Sequence, residues 1–171
     1  AGGDITVEPG EILLAQQGAP AGLRLLNGDN IFLSAGAING ATAGIAAVTD
    51  VILRTSGDTS LGFAEAGDDV DAVSGVGSIS IGMARTTGLG EDTVEGSEFG
   101  DGSNIVLDAA QDVTLDNSDG ANDVLLTARA GSIRSAGTLA ADSDLFATAG
   151  TDIAVNNATT GFNIEFNADA S

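Results

Sequence analysis

The stretch Leu145-Phe146-Ala147-Thr148-Ala149-Gly150-Thr151-Asp152-Ile153-Ala154-Val155 holds two short apolar alternations on either side of a Gly-Thr-Asp corner. Leu145 and Ala147 point one way in the first alternation, and Ile153 and Val155 do the same in the second. Alternation with period two is the signature of a β-strand with one buried face. The unit recurs in both directions along the chain. One series of strand starts falls at Ile5, Leu23, Ala43, Leu61, Ile79, Ile105, Val124, Leu145 and Ile164, with i+2 partners Val7, Leu25, Ile45, Phe63, Ile81, Leu107, Leu126, Ala147 and Phe166. A second series falls at Ile12, Ile31, Val51, Val70, Val94, Val113, Ile133 and Ile153, with partners Leu14, Leu33, Leu53, Ala72, Gly96, Leu115, Ser135 and Val155. Only Gly96 and Ser135 break the apolar rule. The first series advances from 5 to 164 in eight steps, a repeat of about 20 residues.

Strands this short, separated by Gly, Asn, Asp and Ser corners, cannot each bury an apolar face alone. Stacking successive coils about 4.8 Å apart turns the inward residues into continuous columns. The spacing therefore predicts an all-β fold, a single-stranded parallel β-helix (β-solenoid) of roughly 8 coils and about 40 Å in height. An antiparallel sandwich has no need of a fixed repeat. The whole chain, 1–171, reads as one domain, and the long step from Ile79 to Val94 places a loop insertion near 82–90.

Composition narrows the function. Among 171 residues there is no Cys, His, Trp or Tyr, and 25 acids face five Arg for a net charge of −20. Without Cys there are no disulfides, thiolate metal sites or thiol nucleophiles. Without His the commonest general base and neutral metal ligand are missing. Five Arg cannot neutralise a phosphate backbone, so no nucleic acid partner is expected, and no apolar run is long enough for membrane insertion as a helix. Paired acids could serve a polysaccharide-cleaving β-helix enzyme. Yet a −20 surface opposes acidic polysaccharides, and Phe, the only aromatic type, offers six residues and no evident sugar platform. No enzymatic activity is expected, and no cofactor is required.

The strand entries Gly3-Asp4-Ile5-Thr6-Val7, Gly28-Asp29-Asn30-Ile31-Phe32-Leu33, Ala130-Gly131-Ser132-Ile133 and Ala149-Gly150-Thr151-Asp152-Ile153-Ala154-Val155 resemble filamentous-haemagglutinin-type repeats. These belong to large adhesins of bacterial two-partner secretion. The resemblance implies a right-handed parallel β-helix and a secreted, extracellular setting at the cell surface. The sequence departs from that family in its small size and in showing no amino-terminal secretion domain. Ala1 is expected to follow a small-residue cleavage site.

Two groups of outward residues carry the functional expectations. Directly before the second series stand Glu11, Asn30, Asp50, Asp69, Thr93, Asp112, Ser132 and Asp152. Such residues either cap corners through Asx- or ST-turn hydrogen bonds or form a cation ladder. The densest acidic region includes Asp68, Asp69, Asp71 and Asp92, hard oxygen donors of the kind Ca²⁺ takes. The middle residues of the strands should face solvent, but Leu13, Phe32 and Ile52 make an apolar run near one end, and Val106, Leu125 and Phe146 make another near the other end. Either a loop covers each run, or the runs are self-association surfaces on different faces.

The first strand starts at Ile5 and the last ends at Phe166, leaving no room for capping helices. Either the chain is a fragment of something longer, or its exposed end coils pair with another copy. The expectation is a noncatalytic structural subunit of an extracellular bacterial fibre or matrix, a homopolymer built head-to-tail and laterally. The alternative is a passenger segment of a secreted adhesin that binds a host or cell-surface glycan or protein.

Overall fold

The computed structural model describes residues 30–88 and 102–169, together with the backbone of three short strands at the amino-terminal end: β1 (Ile5–Thr6), β2 (Ile12–Leu14) and β3 (Leu23–Leu25). From Ile31 onward a five-residue strand alternates with one of eight or nine residues. The short strands are β4 (Ile31–Ala35), β6 (Val51–Thr55), β8 (Val70–Ser74), β10 (Ile105–Ala109), β12 (Val124–Ala128), β14 (Leu145–Ala149) and β16 (Ile164–Ala168). The long ones are β5 (Ile38–Ala46), β7 (Thr59–Ala66), β9 (Ile79–Thr86), β11 (Val113–Gly120), β13 (Ile133–Ala141) and β15 (Ile153–Thr160).

All pairings are parallel, and from β4 onward they join each strand to its counterpart one coil away. Short strands stack into one seven-stranded sheet, and long strands into a nine-stranded sheet that also takes in β1, β2 and β3. The result is a parallel β-solenoid of about six turns with no helix among the described residues. The long strands bend in the middle, where register shifts separate Gly40 from Gly44, Thr114 from Ser118 and Ser135 from Thr138. A bulge at this point lets one strand supply two walls of the coil. Gly44 sits beneath the ring of Phe63 so closely that a Cβ would come within 2.2 Å of it.

The core is a set of columns running along the stack. Val51, Val70, Ile105, Val124 and Leu145 form one, and Leu53, Ala72, Leu107 and Leu126 form the next, all buried. The fifth position of each short strand is small: Ala35, Thr55, Ser74, Ala109, Ala128 and Ala149. The chain turns there, and only a short side chain fits inside the corner. Where that residue is polar, its hydroxyl is bonded: the Ser74 hydroxyl donates to the Gly57 carbonyl at 2.7 Å, and Thr55 and Thr59 share a hydrogen bond of 2.9 Å. Ser135, which breaks the apolar rule, donates to the Asp116 carbonyl at 3.0 Å.

Three expectations are corrected. Among the described residues the coils number about six rather than eight, because β10 pairs directly with β8 across a long insertion, and there the two sequence series exchange sheets. Ile79 stacks on Val113, a step of 34 residues, and Val70 on Ile105, a step of 35 against 19 to 21 elsewhere along the short strands. The insertion of about 15 residues thus follows Thr86, since Gly82–Thr86 of the expected 82–90 loop lies inside β9. Val94, read as a strand start, lies outside the described residues. At the other end, β2 pairs with β5 and β3 pairs with β2, so Leu23 is partnered by Ile12 rather than by Ala43.

Column packing sets a test. Leu107→Ala, at a fully buried position in the middle of the stack, should cost about 2–5 kcal/mol in chemical denaturation. Thr127→Ala, on the outward face one coil further on, should stay within about 0.5 kcal/mol.

Candidate functional site

The residue before each short strand is Asn or Asp: Asn30, Asp50, Asp69, Asn104, Asp123, Asp144 and Asn163. Each backbone N–H in this series after the first donates to the side-chain Oδ1 of the preceding member. The distances are 3.1 Å for Asp50 on Asn30, 3.2 Å for Asp69 on Asp50, 2.8 Å for Asn104 on Asp69, 3.3 Å for Asp123 on Asn104, 3.0 Å for Asp144 on Asp123, and 2.8 Å for Asn163 on Asp144. Their carbonyls point the same way and accept the N–H of the strand start one coil back, as Asp123 does from Ile105 and Asp144 from Val124, both at 2.9 Å. Parallel strands provide no partner for a corner amide within its own turn, so the side chain of the adjacent coil provides one. The second corner is built alike: Ser78 N–H donates to Asp58 Oδ1 at 2.8 Å, and Ser132 N–H to Asp112 Oδ1 at 2.8 Å.

The polar residues before the strands are therefore caps, but between coils rather than within a local turn. Asn30, Asp50 and Asp69 belong to the first corner, and Asp112 and Ser132 to the second. Asp152 contributes its carbonyl to the Ile133 N–H at 2.9 Å. Glu11 and Thr93 lie outside the described residues. The members that sequence reading missed, Asn104, Asp123, Asp144 and Asn163, stand immediately before Ile105, Val124, Leu145 and Ile164. The same scan applied to the first series would have found them.

The candidate calcium ligands separate. The carboxylates of Asp68 and Asp69 converge with that of Asp50, all within 4.8 Å of one another. Each already holds the stack together: Asp68 Oδ1 accepts from the Ser103 hydroxyl at 2.8 Å, and Asp69 and Asp50 are rungs of the corner ladder. A cation at this corner would compete with those bonds. Asp71 lies on the outward face of β8 and pairs with Arg54, away from the trio. Asp92 is outside the described residues.

The apolar runs come out differently from expectation. Register places Phe32, Ile52, Asp71, Val106, Leu125, Phe146 and Glu165 in a single outward column of the short-strand sheet. Phe32 is 60% exposed, Ile52, Leu125 and Phe146 are partly exposed, and Val106 is buried, with 8% exposure. Leu13 is not part of it, since its backbone pairs with Ile45 in the other sheet. What reads as two runs on different faces is one stripe on one face, interrupted by Asp71.

At the carboxyl-terminal end of the described stack, inward positions lose their cover. Ile164 is 48% and Phe166 41% exposed, whereas the equivalent Val124 and Leu126 are buried. Both β15 and β16 have a hydrogen-bonded neighbour on one side only.

The architecture and the corner ladders define the class, a parallel β-solenoid whose corners are tied by polar side chains reaching from coil to coil. Comparison with protein-family models, curated proteins and solved structures finds no match to this chain. Among the described residues no helix is long and apolar enough to cross a membrane.

The ladder makes a sharp mutational test. Asp123→Ala removes an acceptor from the Asp144 N–H and should cost about 1–3 kcal/mol by chemical denaturation. Asp123→Asn keeps an acceptor oxygen, as Asn30 and Asn104 show naturally, and should stay within about 0.5 kcal/mol of the parent.

Proposed function

We propose that this chain is a noncatalytic structural element of an extracellular fibre or matrix, extended by stacking coil upon coil. The observation that carries the reading is the regular coil-on-coil register, in which the corner amides from Asp50 to Asn163 and the inward columns are each completed by the neighbouring coil, a scheme that a further coil extends by the same bonds. An unpaired flat edge is a template for another strand, and a solenoid coil is the shape that fits it. A second copy of the chain supplies such a coil. The resemblance to filamentous-haemagglutinin-type repeats supports the extracellular setting. The use of Asp50, Asp69, Asp112, Asp123 and Asp144 as corner acceptors supports a structural role for those carboxylates.

Negative-stain electron microscopy of the purified chain tests this reading. Filaments of uniform width are expected at neutral pH, and Phe166→Asp should shorten or abolish them. Isolated short rods from the parent chain at high concentration would contradict it.

Charge sets the conditions. With a net charge of −20, copies repel at low ionic strength. Raising salt from 0.01 M to 0.15 M cuts the screening length from about 30 Å to about 8 Å, so assembly followed by light scattering should accelerate. Millimolar Ca²⁺ should do the same. An effect of Ca²⁺ that survives high salt would indicate coordination, and one that vanishes would indicate screening alone.

A further inference from the structure

We propose that two copies of this chain pair laterally through the outer face of the short-strand sheet, antiparallel and related by a two-fold axis. This rests on the reading of the chain as a self-assembling structural element and adds its side-to-side contact.

The first support is the apolar column itself. Phe32, Ile52, Leu125 and Phe146 are four of its seven rungs and keep exposed surface, Phe32 at 60%, while Val106, a fifth apolar rung, is already buried. The second is charge. Acids outnumber Arg five to one in the chain as a whole, 25 against five. On this face the balance is nearly even. Arg54 pairs with Asp71, and Arg129, just beyond β12, pairs with Asp108. Glu165 is the remaining acid among the outward residues of the short strands. Two of the five Arg are thus spent on neutralising one sheet face. A face so nearly balanced lets two copies meet without the repulsion that the net charge of the chain would otherwise impose.

Register then selects the geometry. A two-fold axis parallel to the strands, lying between β8 and β10, sets β8 against β10, β6 against β12 and β4 against β14 of the second copy. Phe32 then faces Phe146, Ile52 faces Leu125, and Asp71, already neutralised by Arg54, faces Val106. β16, with Glu165, falls beyond the overlap. Such a contact is isologous and closes as a pair. Six overlapping strands about 4.8 Å apart, each of five residues at about 3.3 Å, cover roughly 500 Å² per copy. The total of about 1,000 Å² stands at the lower bound for a specific interface. Free chains should therefore pair weakly, and filaments should pair firmly because many such contacts act together.

The chain has no cysteine, so single cysteines can be introduced as reporters. Packed sheets lie about 10 Å apart, within reach of a short bismaleimide. Phe32→Cys and Phe146→Cys chains are mixed under assembly conditions, treated with the reagent and resolved on a denaturing gel. The mixture should yield a cross-linked dimer at least tenfold more abundant than either variant alone. No dimer from the mixture, or equal dimer from Phe32→Cys alone, would overturn the proposed pairing. Microscopy of the same samples separates the two levels. Filaments of single width without cross-linking would sink the lateral contact and leave coil-on-coil extension standing, whereas the absence of both would remove both.

Discussion

A backbone amide at the corner of a parallel coil cannot be satisfied by its own turn. It must reach the coil above or below, and this requirement shapes much of what the chain looks like. The ladder from Asn30 to Asn163 meets it with one short acceptor side chain per coil, placed directly before each short strand. Asn and Asp suit the position because Oδ1 sits at the right reach, and Ser at the second corner does the same over a slightly different span. An unbonded buried amide would cost more than any one of these contacts contributes. The acidity of the protein follows in part: several carboxylates are structural acceptors before they are anything else.

Once the corners are tied, the columns follow. Inward positions of consecutive coils lie in register, so a β-branched or leucine side chain packs against its own kind along the axis. Small residues at the fifth strand position let the chain turn without leaving a void. The proposed function would draw on the same cause, since the interaction that joins coil to coil inside the molecule is the one that would join a further coil to it.

Much of this was legible in the residues. The 20-residue repeat, the parallel stack and the polar position before the strands are all written in local alternation and corner composition. Which sheet a strand joins was not, because Ile79 and Ile105 carry the same alternation and differ only in their coil partners. The step of 35 residues from Val70 to Ile105, against 19 to 21 elsewhere along the short strands, shifts every later member of each series to the other sheet. Asn or Asp immediately before a five-residue strand ending in Ala, Ser or Thr is the feature that would have separated the sheets. For the candidate sites the pattern was the same. Phe32 and Phe146 stood out as outward apolar residues, but their shared face depends on the exchange of series between them. Asp71 looked like a neighbour of Asp69 in sequence, yet the strand period turns it toward Arg54 instead.

Native-state hydrogen exchange, read residue by residue, tests the central claim most directly. If inter-coil acceptors hold the corners, the amides of Asn104, Asp123 and Asp144 should exchange as slowly as those of Val124 and Leu126 within the strands. Corner amides that exchange at the rate of open loops, beside protected strands, would show that the side-chain ladder does not hold the stack.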